Sequence, residues 1–194
     1  MGGNNMSLRL HIYSIIAWAL FIISFPHIVH AQDSIVNKEK LGLKIGYFGG
    51  GTMNINSREY ETDAGLCFSG NFDMQVARKF YMGIALDLDQ VKIWEESKYL
   101  VNLSLITKGE IPISKGALLL RPAIGVGMGM LQKIAWLDNT YYVTLQVFNE
   151  FVTVINGKTD LLGDIGLLWE LSGGSDIDDI TGGPFLMVRI GVSI

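Results

Sequence analysis

Apolar residues alternate with small or polar ones along most of the chain after Lys40, and this alternation constrains the fold more than any other feature. In the clearest segment one face carries Leu66, Phe68, Phe72, Met74 and Val76, and the other carries Cys67, Ser69, Asn71, Asp73 and Gln75. A period of two residues is the signature of a β-strand with unlike faces, whereas a helix repeats every 3.6 residues. The pattern therefore predicts an all-β chain.

Seven further strands follow from the same alternation, at 41–47, 82–93, 99–111, 118–130, 141–155, 161–171 and 186–194. The segment 141–155 has the composition of a strand, but its phase is ambiguous. In the segment 82–93 the phase changes at Val91 and Ile93, which predicts a bulge or the end of the strand there. No Pro-rich, Ser-rich or charged linker divides the chain, so the eight strands form one domain over residues 41–194.

The connections between these strands alternate in length. Short polar turns are predicted at 77–79, 114–116 and 156–158, and longer loops near 50–63, 92–97, 131–140 and 172–183. The turn at 156–158 contains Asn-Gly, a strong hairpin signal. This rhythm predicts an eight-stranded antiparallel up-and-down transmembrane β-barrel with its long loops outside the cell. Side chains can fill the interior of so narrow a barrel, and we therefore expect no open aqueous channel.

The composition of the two faces predicts that the apolar face meets lipid. The polar face is rich in Gly and Ala, as a tapering barrel interior requires, and a charge at lipid depth would cost about 2 to 4 kcal/mol. We interpret the charges of the polar face as an interior network of ion pairs, with a gated proton or ion path as the functional alternative. The members of this network are Lys44, Asp73, Asp87, Lys108, Glu110, Arg121, Asp164, Glu170 and Arg189. A periplasmic lipocalin-like barrel that binds a small apolar ligand is the alternative architecture.

The first 31 residues have the order of parts of a signal peptide. Arg9 precedes an apolar run from Ile12 to Phe25, which ends before the helix breaker Pro26. Small residues at the positions that a signal peptidase reads predict cleavage after Ala31, with Met1 or Met6 as the start. A short polar leader, residues 32–40, then precedes the barrel domain.

Removal of the signal peptide changes the composition in two ways. Arg9 is its only charged residue, so 14 of the 15 basic residues and all 19 acidic ones remain, for a net charge of −5, which disfavours a nucleic-acid partner. All three histidines, His11, His27 and His30, are also removed. Because the histidine general base of several barrel enzymes is then absent, we predict a chain without catalysis and without a cofactor.

Three further features have plain structural interpretations. The single cysteine, Cys67, cannot form an internal disulfide, and we interpret it as a small interior residue. The glycines 125, 127 and 129 lie within a strand, whereas a nucleotide-binding loop needs a glycine turn that opens a helix. The segment with Asp176, Asp178 and Asp179 lacks the Gly and the distal Glu of a calcium loop, so we expect a solvated loop and no metal site. The aromatic residues at strand ends are candidates for interfacial girdles. They are Phe80, Tyr81, Trp94, Tyr99, Trp136, Tyr141, Tyr142 and Trp169.

Taken with the signal peptide and the rhythm of strands and turns, the alternating segment Gly183–Ile194 resembles the C-terminal assembly signal of outer-membrane barrels. Residues 41–194 resemble the outer-membrane protein β-barrel domain family, the small eight-stranded kind that includes outer-membrane proteins A and X. The family commonly ends in an aromatic residue, whereas this chain has Ile194. The resemblance implies outer-membrane lipid as the surroundings, insertion by the barrel-assembly machinery, and a structural or surface-interaction role whose extracellular partner the sequence does not identify.

Overall fold

The computed structural model describes residues 38–55, 57–93, 96–114, 118–132, 140–155, 158–171 and 180–194. The predicted signal peptide, its cleavage site after Ala31 and most of the leader lie outside these ranges. The acidic segment 176–179 and the Asn156-Gly157 turn also lie outside them. Within the described ranges, no helix is long enough and apolar enough to cross a membrane.

Eight long strands carry the alternating pattern: β1 (Glu39–Phe48), β4 (Gly65–Ala77), β5 (Phe80–Ile93), β6 (Glu96–Gly109), β8 (Leu118–Leu131), β9 (Thr140–Val154), β10 (Asp160–Leu171) and β11 (Ile180–Ser193). Three short strands accompany them: β2 (Gly51–Ile55), β3 (Arg58–Thr62) and β7 (Ile111–Pro112). Each long strand pairs with its neighbours in an antiparallel ladder, in the order β1-β4-β5-β6-β8-β9-β10-β11.

The barrel closes where β11 returns to β1. The ladder between them runs from Gly42 opposite Ser193 to Phe48 opposite Met187. Beyond it, the backbones of Leu41 and Ile194 exchange two hydrogen bonds of 2.9 and 3.0 Å. The predicted fold class, an eight-stranded antiparallel up-and-down barrel, is thereby confirmed. We call the end that holds Leu41, Ile194 and the 78–79 turn the turn end, and the opposite end the loop end.

The prediction of a loop at 50–63 was wrong. After Gly49 and Gly50 the chain continues as β2, which pairs with β3, and β3 leads through Asp63 back into β4. The register places Met53 of β2 opposite Gly182 of β11. On the other side, Asp63 forms an isolated bridge with Lys92 of β5. At the loop end, the β2–β3 hairpin therefore extends the barrel wall beyond the ladder between β1 and β4.

The prediction of a long loop at 92–97 was also wrong. Of the two alternatives predicted at Val91 and Ile93, the bulge is absent from the described ladder, and the end of the strand is confirmed because β5 ends at Ile93. The register of β5 with β6 runs without interruption from Phe80 opposite Gly109 to Ile93 opposite Glu96. The register shifts lie elsewhere, between Gln75 and Ala77 and between Leu168 and Glu170. The loop predicted at 172–183 is likewise shorter, because β11 begins at Ile180.

The phase change at Val91 has a physical cause other than a bulge. Val91 and Ile93 are buried on the same inner face as Asp87 and Asp89, and Lys92 is exposed. Near the loop end the inner face becomes apolar and the outer face becomes polar, while the backbone keeps its alternation. The sequence pattern inverts because the surroundings of the strand change along its length.

The apolar rows of all eight long strands point outward and form a continuous belt. Its exposed side chains include Leu43 and Ile45 of β1, Ile84 and Leu86 of β5, and Ile190 of β11. The structure places only some of the aromatic girdle candidates on the outer face. Tyr99 and Tyr141 are exposed on the outer face, but Tyr81 and Tyr142 are buried and point inward; Trp94 and Trp136 lie outside the described ranges.

Candidate functional site: the charged interior

Glu150 is the centre of the interior ion-pair network. Strand β9 turns alternate residues inward, including Gln146, Phe148 and Glu150, and this resolves the phase that the sequence left ambiguous. The Nζ atom of Lys44 lies 2.6 Å from Glu150 Oε1, and Lys108 Nζ lies 3.1 and 3.2 Å from the two carboxylate oxygens. A guanidinium nitrogen of Arg121 approaches to 3.7 Å. One carboxylate thus connects strands β1, β6, β8 and β9.

Asp164 forms a second centre on the neighbouring strand β10. It accepts a 2.7 Å hydrogen bond from Lys44 and a 2.8 Å hydrogen bond from Nε of Arg189. The same guanidinium donates to Asp87 Oδ1 at 2.9 Å. Because Lys44 contacts both Glu150 and Asp164, the two centres form one network that reaches from β5 across the lumen to β11.

The ring of Phe148 lies among the cations of this network. The distances from its centroid to Lys44 Nζ, Lys108 Nζ and Arg189 Cζ are 5.6, 6.0 and 5.4 Å. Cations within about 6 Å of an aromatic face are attracted by the ring quadrupole. Phe148 therefore contributes to the stabilisation of three buried cations.

Ion pairs and hydrogen bonds continue toward the turn end. Lys108 donates to Asp73 at 2.7 Å, and Asn71 donates to the same carboxylate at 2.6 Å. Arg121 donates to Glu110 at 2.8 and 3.0 Å, and its guanidinium lies 4.4 Å from the centroid of the Tyr81 ring. Closer still to the turn end, Lys40 forms an ion pair with Asp160.

The loop end of the lumen has a different chemistry. A cluster of buried apolar side chains fills it, contributed by the ends of the long strands and by the β2–β3 hairpin: Phe48, Met53, Ile55, Tyr60, Cys67, Val91, Ile93, Leu100, Leu131, Tyr142, Leu168, Phe185 and Met187. The rings of Phe48 and Phe185 stack at 5.0 Å between centroids. Cys67 is fully buried in this cluster as a free thiol.

A small polar group lies next to the apolar cluster. Tyr142 donates to Asn102 at 3.1 Å, and Asn102 donates to Asp89 at 2.9 Å. Glu170 is buried nearby on β10, and neither of its carboxylate oxygens has a hydrogen-bond partner among the described residues. Buried acids outnumber buried bases in the described lumen, with seven carboxyl groups against four cations.

All nine residues of the predicted interior network lie on the inner face. Eight are buried, and Glu110 is partly exposed. Eight of them, together with Glu150, belong to one set of linked ion pairs: Lys44, Asp73, Asp87, Lys108, Glu110, Arg121, Asp164 and Arg189. Glu110 joins this set through Arg121, whereas Glu170 has no ion pair within the described ranges.

Sequence reasoning missed Glu150, the centre of the network, and also the pair Lys40–Asp160. The signal for Glu150 was present in the odd-numbered row Val143, Leu145 and Val147, which is uniformly apolar. The pattern was hard to recognise because the outward row continues with a polar residue, Asn149, and the inward row contains an apolar one, Phe148. Among the described residues, no group of three or more His, Cys, Asp and Glu is arranged to hold a metal ion.

A closed barrel with an outward apolar belt and a charged lumen defines the chain as a small transmembrane barrel of the outer-membrane type. No protein-family model matches the sequence, and no curated protein matches it. The structure is similar to that of the neisserial surface protein A, with a TM-score of 0.56 and 8% sequence identity over 80% of this chain and 96% of that one. It is also similar to the outer membrane protein OprG from Pseudomonas aeruginosa, with a TM-score of 0.53 and 9% identity over 81% and 95% of the two chains. At such low identity these likenesses show the shared fold, and the fold expected from the family resemblance is confirmed.

Proposed function

We propose that the chain is an integral outer-membrane protein whose barrel spans the bilayer, with a side-chain-filled interior, a structural or surface-interaction role and no catalysis. The observation that carries the proposal is the distribution of side chains across the barrel wall. Apolar residues such as Leu43, Ile84 and Ile190 are exposed around the belt, and the charges are inside. Exposed apolar patches of this extent are rare on soluble monomers.

The same distribution argues against a periplasmic lipocalin-like barrel. A soluble barrel that binds an apolar ligand needs a polar exterior and an apolar cavity. Here the middle of the lumen holds Lys44, Lys108 and Arg189 with their carboxylate partners. The apolar cluster at the loop end is packed with its own side chains, since Phe48, Met53 and Phe185 are fully buried. An apolar ligand would have to displace them.

A structural or surface role is supported by the absence of a histidine and by the pairing of the interior charges. The histidine general base that several barrel enzymes use is absent from residues 32–194. Most charged groups of the lumen are held in ion pairs between strands, which suits a role in holding the wall together. In the proposed orientation the loop end faces the outside of the cell, as in other barrels of this class.

The test of membrane insertion is a fractionation experiment with the full chain. We expect the protein in the outer-membrane fraction, and we expect unheated samples to migrate differently from heated ones on a denaturing gel because the closed barrel resists detergent. Recovery as a soluble periplasmic protein that refolds without detergent and binds an apolar fluorophore would instead support the lipocalin-like alternative.

The filled interior predicts that the barrel does not conduct ions. In planar bilayers the inserted protein should give no steady conductance above that of the lipid alone, because the apolar cluster at the loop end and the ion pairs below it occupy the lumen. A water-filled porin inserted under the same conditions is the positive control. Regular, ion-selective conductance steps would contradict the filled interior and support the gated proton or ion path.

A further inference from the structure

Asn149 is an amide on the outer face of β9, and the nearest members of its outward row on either side are apolar. The outer face of β9 carries Val143, Leu145 and Val147 before Asn149, and Phe151 follows it. Asn149 is exposed, whereas the flanking residues Phe148 and Glu150 are buried in the lumen. No hydrogen bond of its amide forms with any described residue. The side chain therefore presents two N–H donors and one acceptor to the surroundings of the barrel.

The position of Asn149 along β9 places it inside the apolar belt. It lies five positions before Val154, the last residue of the strand. With a rise of roughly 3.3 Å per residue and a tilt of roughly 40°, this corresponds to about 13 Å, near the middle of a belt about 25 Å tall. Exposed apolar side chains lie closer to the turn end than Asn149, among them Phe151 and Ile155. Water and lipid headgroups do not reach this depth.

The residues opposite Asn149 on the adjacent strands provide no hydrogen-bond partner for its amide. Opposite it on the two adjacent strands are Pro122, which has no backbone N–H, and Ile165. An amide without a partner in hydrocarbon is strongly disfavoured relative to a hydrogen-bonded one. The amide therefore favours any partner that brings a polar group to the same depth of the bilayer.

We propose that a second copy of this chain supplies that group, and that the chain forms a homodimer across the outer face of β9. A two-fold axis along the membrane normal brings identical residues together at one depth, so Asn149 of one copy meets Asn149 of the other. A carboxamide is self-complementary, because each can donate an N–H to the carbonyl oxygen of its partner. Polar side chains are a known cause of association between protein segments in lipid.

The surface beside Asn149 permits a close approach. Gly163 on the adjacent strand β10 faces outward diagonally from Asn149 and lies opposite Phe151. A Cβ atom placed there would meet only the carbonyl oxygen of Arg189, at 3.9 Å. Small residues at a contact within lipid let two backbones come near enough for short side chains to bond. The interface that we infer therefore centres on Asn149 and extends over Pro122 and Gly163.

Crosslinking in native outer-membrane vesicles tests the geometry. In a Cys67→Ala background, Phe151→Cys leaves the Asn149 amide in place and should yield a covalent dimer with a short bis-maleimide, because Phe151 is exposed two residues from Asn149 on the same outward row. Phe72→Cys, on strand β4 across the barrel, should stay monomeric although Phe72 is also exposed. Absence of a dimer from Phe151→Cys, or crosslinks only to a different protein, would overturn the proposal.

Sedimentation equilibrium in a density-matched detergent tests the role of the amide. Asn149→Leu should weaken self-association by about tenfold, which corresponds to about 1.4 kcal/mol. Thr107→Val, which removes the outward hydroxyl of β6, is the matched control and should leave the association unchanged. An unchanged association constant for Asn149→Leu would reject the amide contact.

The inference rests on membrane insertion, and the two fail separately. Heat-modifiable migration of each variant reports whether the barrel has folded and inserted, independently of its oligomeric state. Asn149→Leu replaces a polar group with an apolar one on the lipid side, so the barrel should remain intact. A folded, inserted wild-type protein that is monomeric in both experiments rejects the dimer alone, whereas a soluble protein rejects the insertion.

Discussion

Glu150→Gln is expected to lower the free energy of unfolding of the barrel by about 3 to 5 kcal/mol, the loss that follows when one partner of a buried ion pair is removed. The neutral amide keeps the shape of the side chain but leaves Lys44, Lys108 and Arg121 without the carboxylate that they share. Asp164, Asp73 and Glu110 still pair with Lys44, Lys108 and Arg121, respectively. The loss is therefore that of three contacts with one shared carboxylate. The effect is large because the lumen excludes water from the charges that remain.

The measurement is equilibrium unfolding in urea of the protein inserted in lipid vesicles, followed by tryptophan fluorescence. Glu96→Gln is the matched control, since Glu96 pairs with Lys98 at the rim of the barrel and its side chain is 58% exposed. An exposed pair contributes about 0 to 1 kcal/mol, so the control should unfold almost as the wild type does. Equal effects of the two substitutions would show that Glu150 does not organise the lumen.

Ile84→Arg is expected to lower the free energy of unfolding in a bilayer by about 2 to 4 kcal/mol, the cost of a cation at the midplane of a barrel's lipid face. Ile84 is exposed in the middle of the apolar row of β5, which runs from Met82 to Leu88. The same substitution on a water-exposed strand would have almost no effect. The result therefore reports which solvent surrounds the belt.

Gln90→Arg is the control on the same face of the same strand. Gln90 lies beyond the apolar row, where the outer face of β5 becomes polar, so a cation there should cost no more than about 1 kcal/mol. Unfolding of both variants is compared in vesicles of one lipid composition. If Ile84→Arg unfolds as the wild type does, the belt does not face hydrocarbon, and the membrane-spanning proposal is wrong.

The strands were predictable because alternation is a local property. A strand such as β4 sorts Leu66 and Phe68 from Cys67 and Ser69 whatever its neighbours are, since successive side chains point to opposite faces. The positions of most interior charges followed from the same rule. Pairing partners did not, because the contact of Lys44 with Glu150 depends on two strands 106 residues apart.

The bulge predicted at Val91 and the ambiguous phase of β9 share one physical origin. At Val91 and in β9 the sequence pattern combines two signals, the alternation of the backbone and the surroundings of each face. Where β5 leaves the apolar belt, its inner residues pack in the apolar cluster and its outer residues meet water, so the pattern inverts without any bulge. In β9, Phe148 lies among cations and Asn149 lies in the belt, so neither row has a uniform composition.

The sequence by itself determined the all-β class, the eight strands and which face of most strands is apolar, because these follow from side-chain alternation and the chemistry of neighbouring residues. Only the tertiary structure decided the register, the closure of β11 on β1, the extension of the wall through β2 and β3, and the central place of Glu150. These features depend on contacts between strands far apart in the chain. A local pattern records the surroundings of a residue but not which residues provide them.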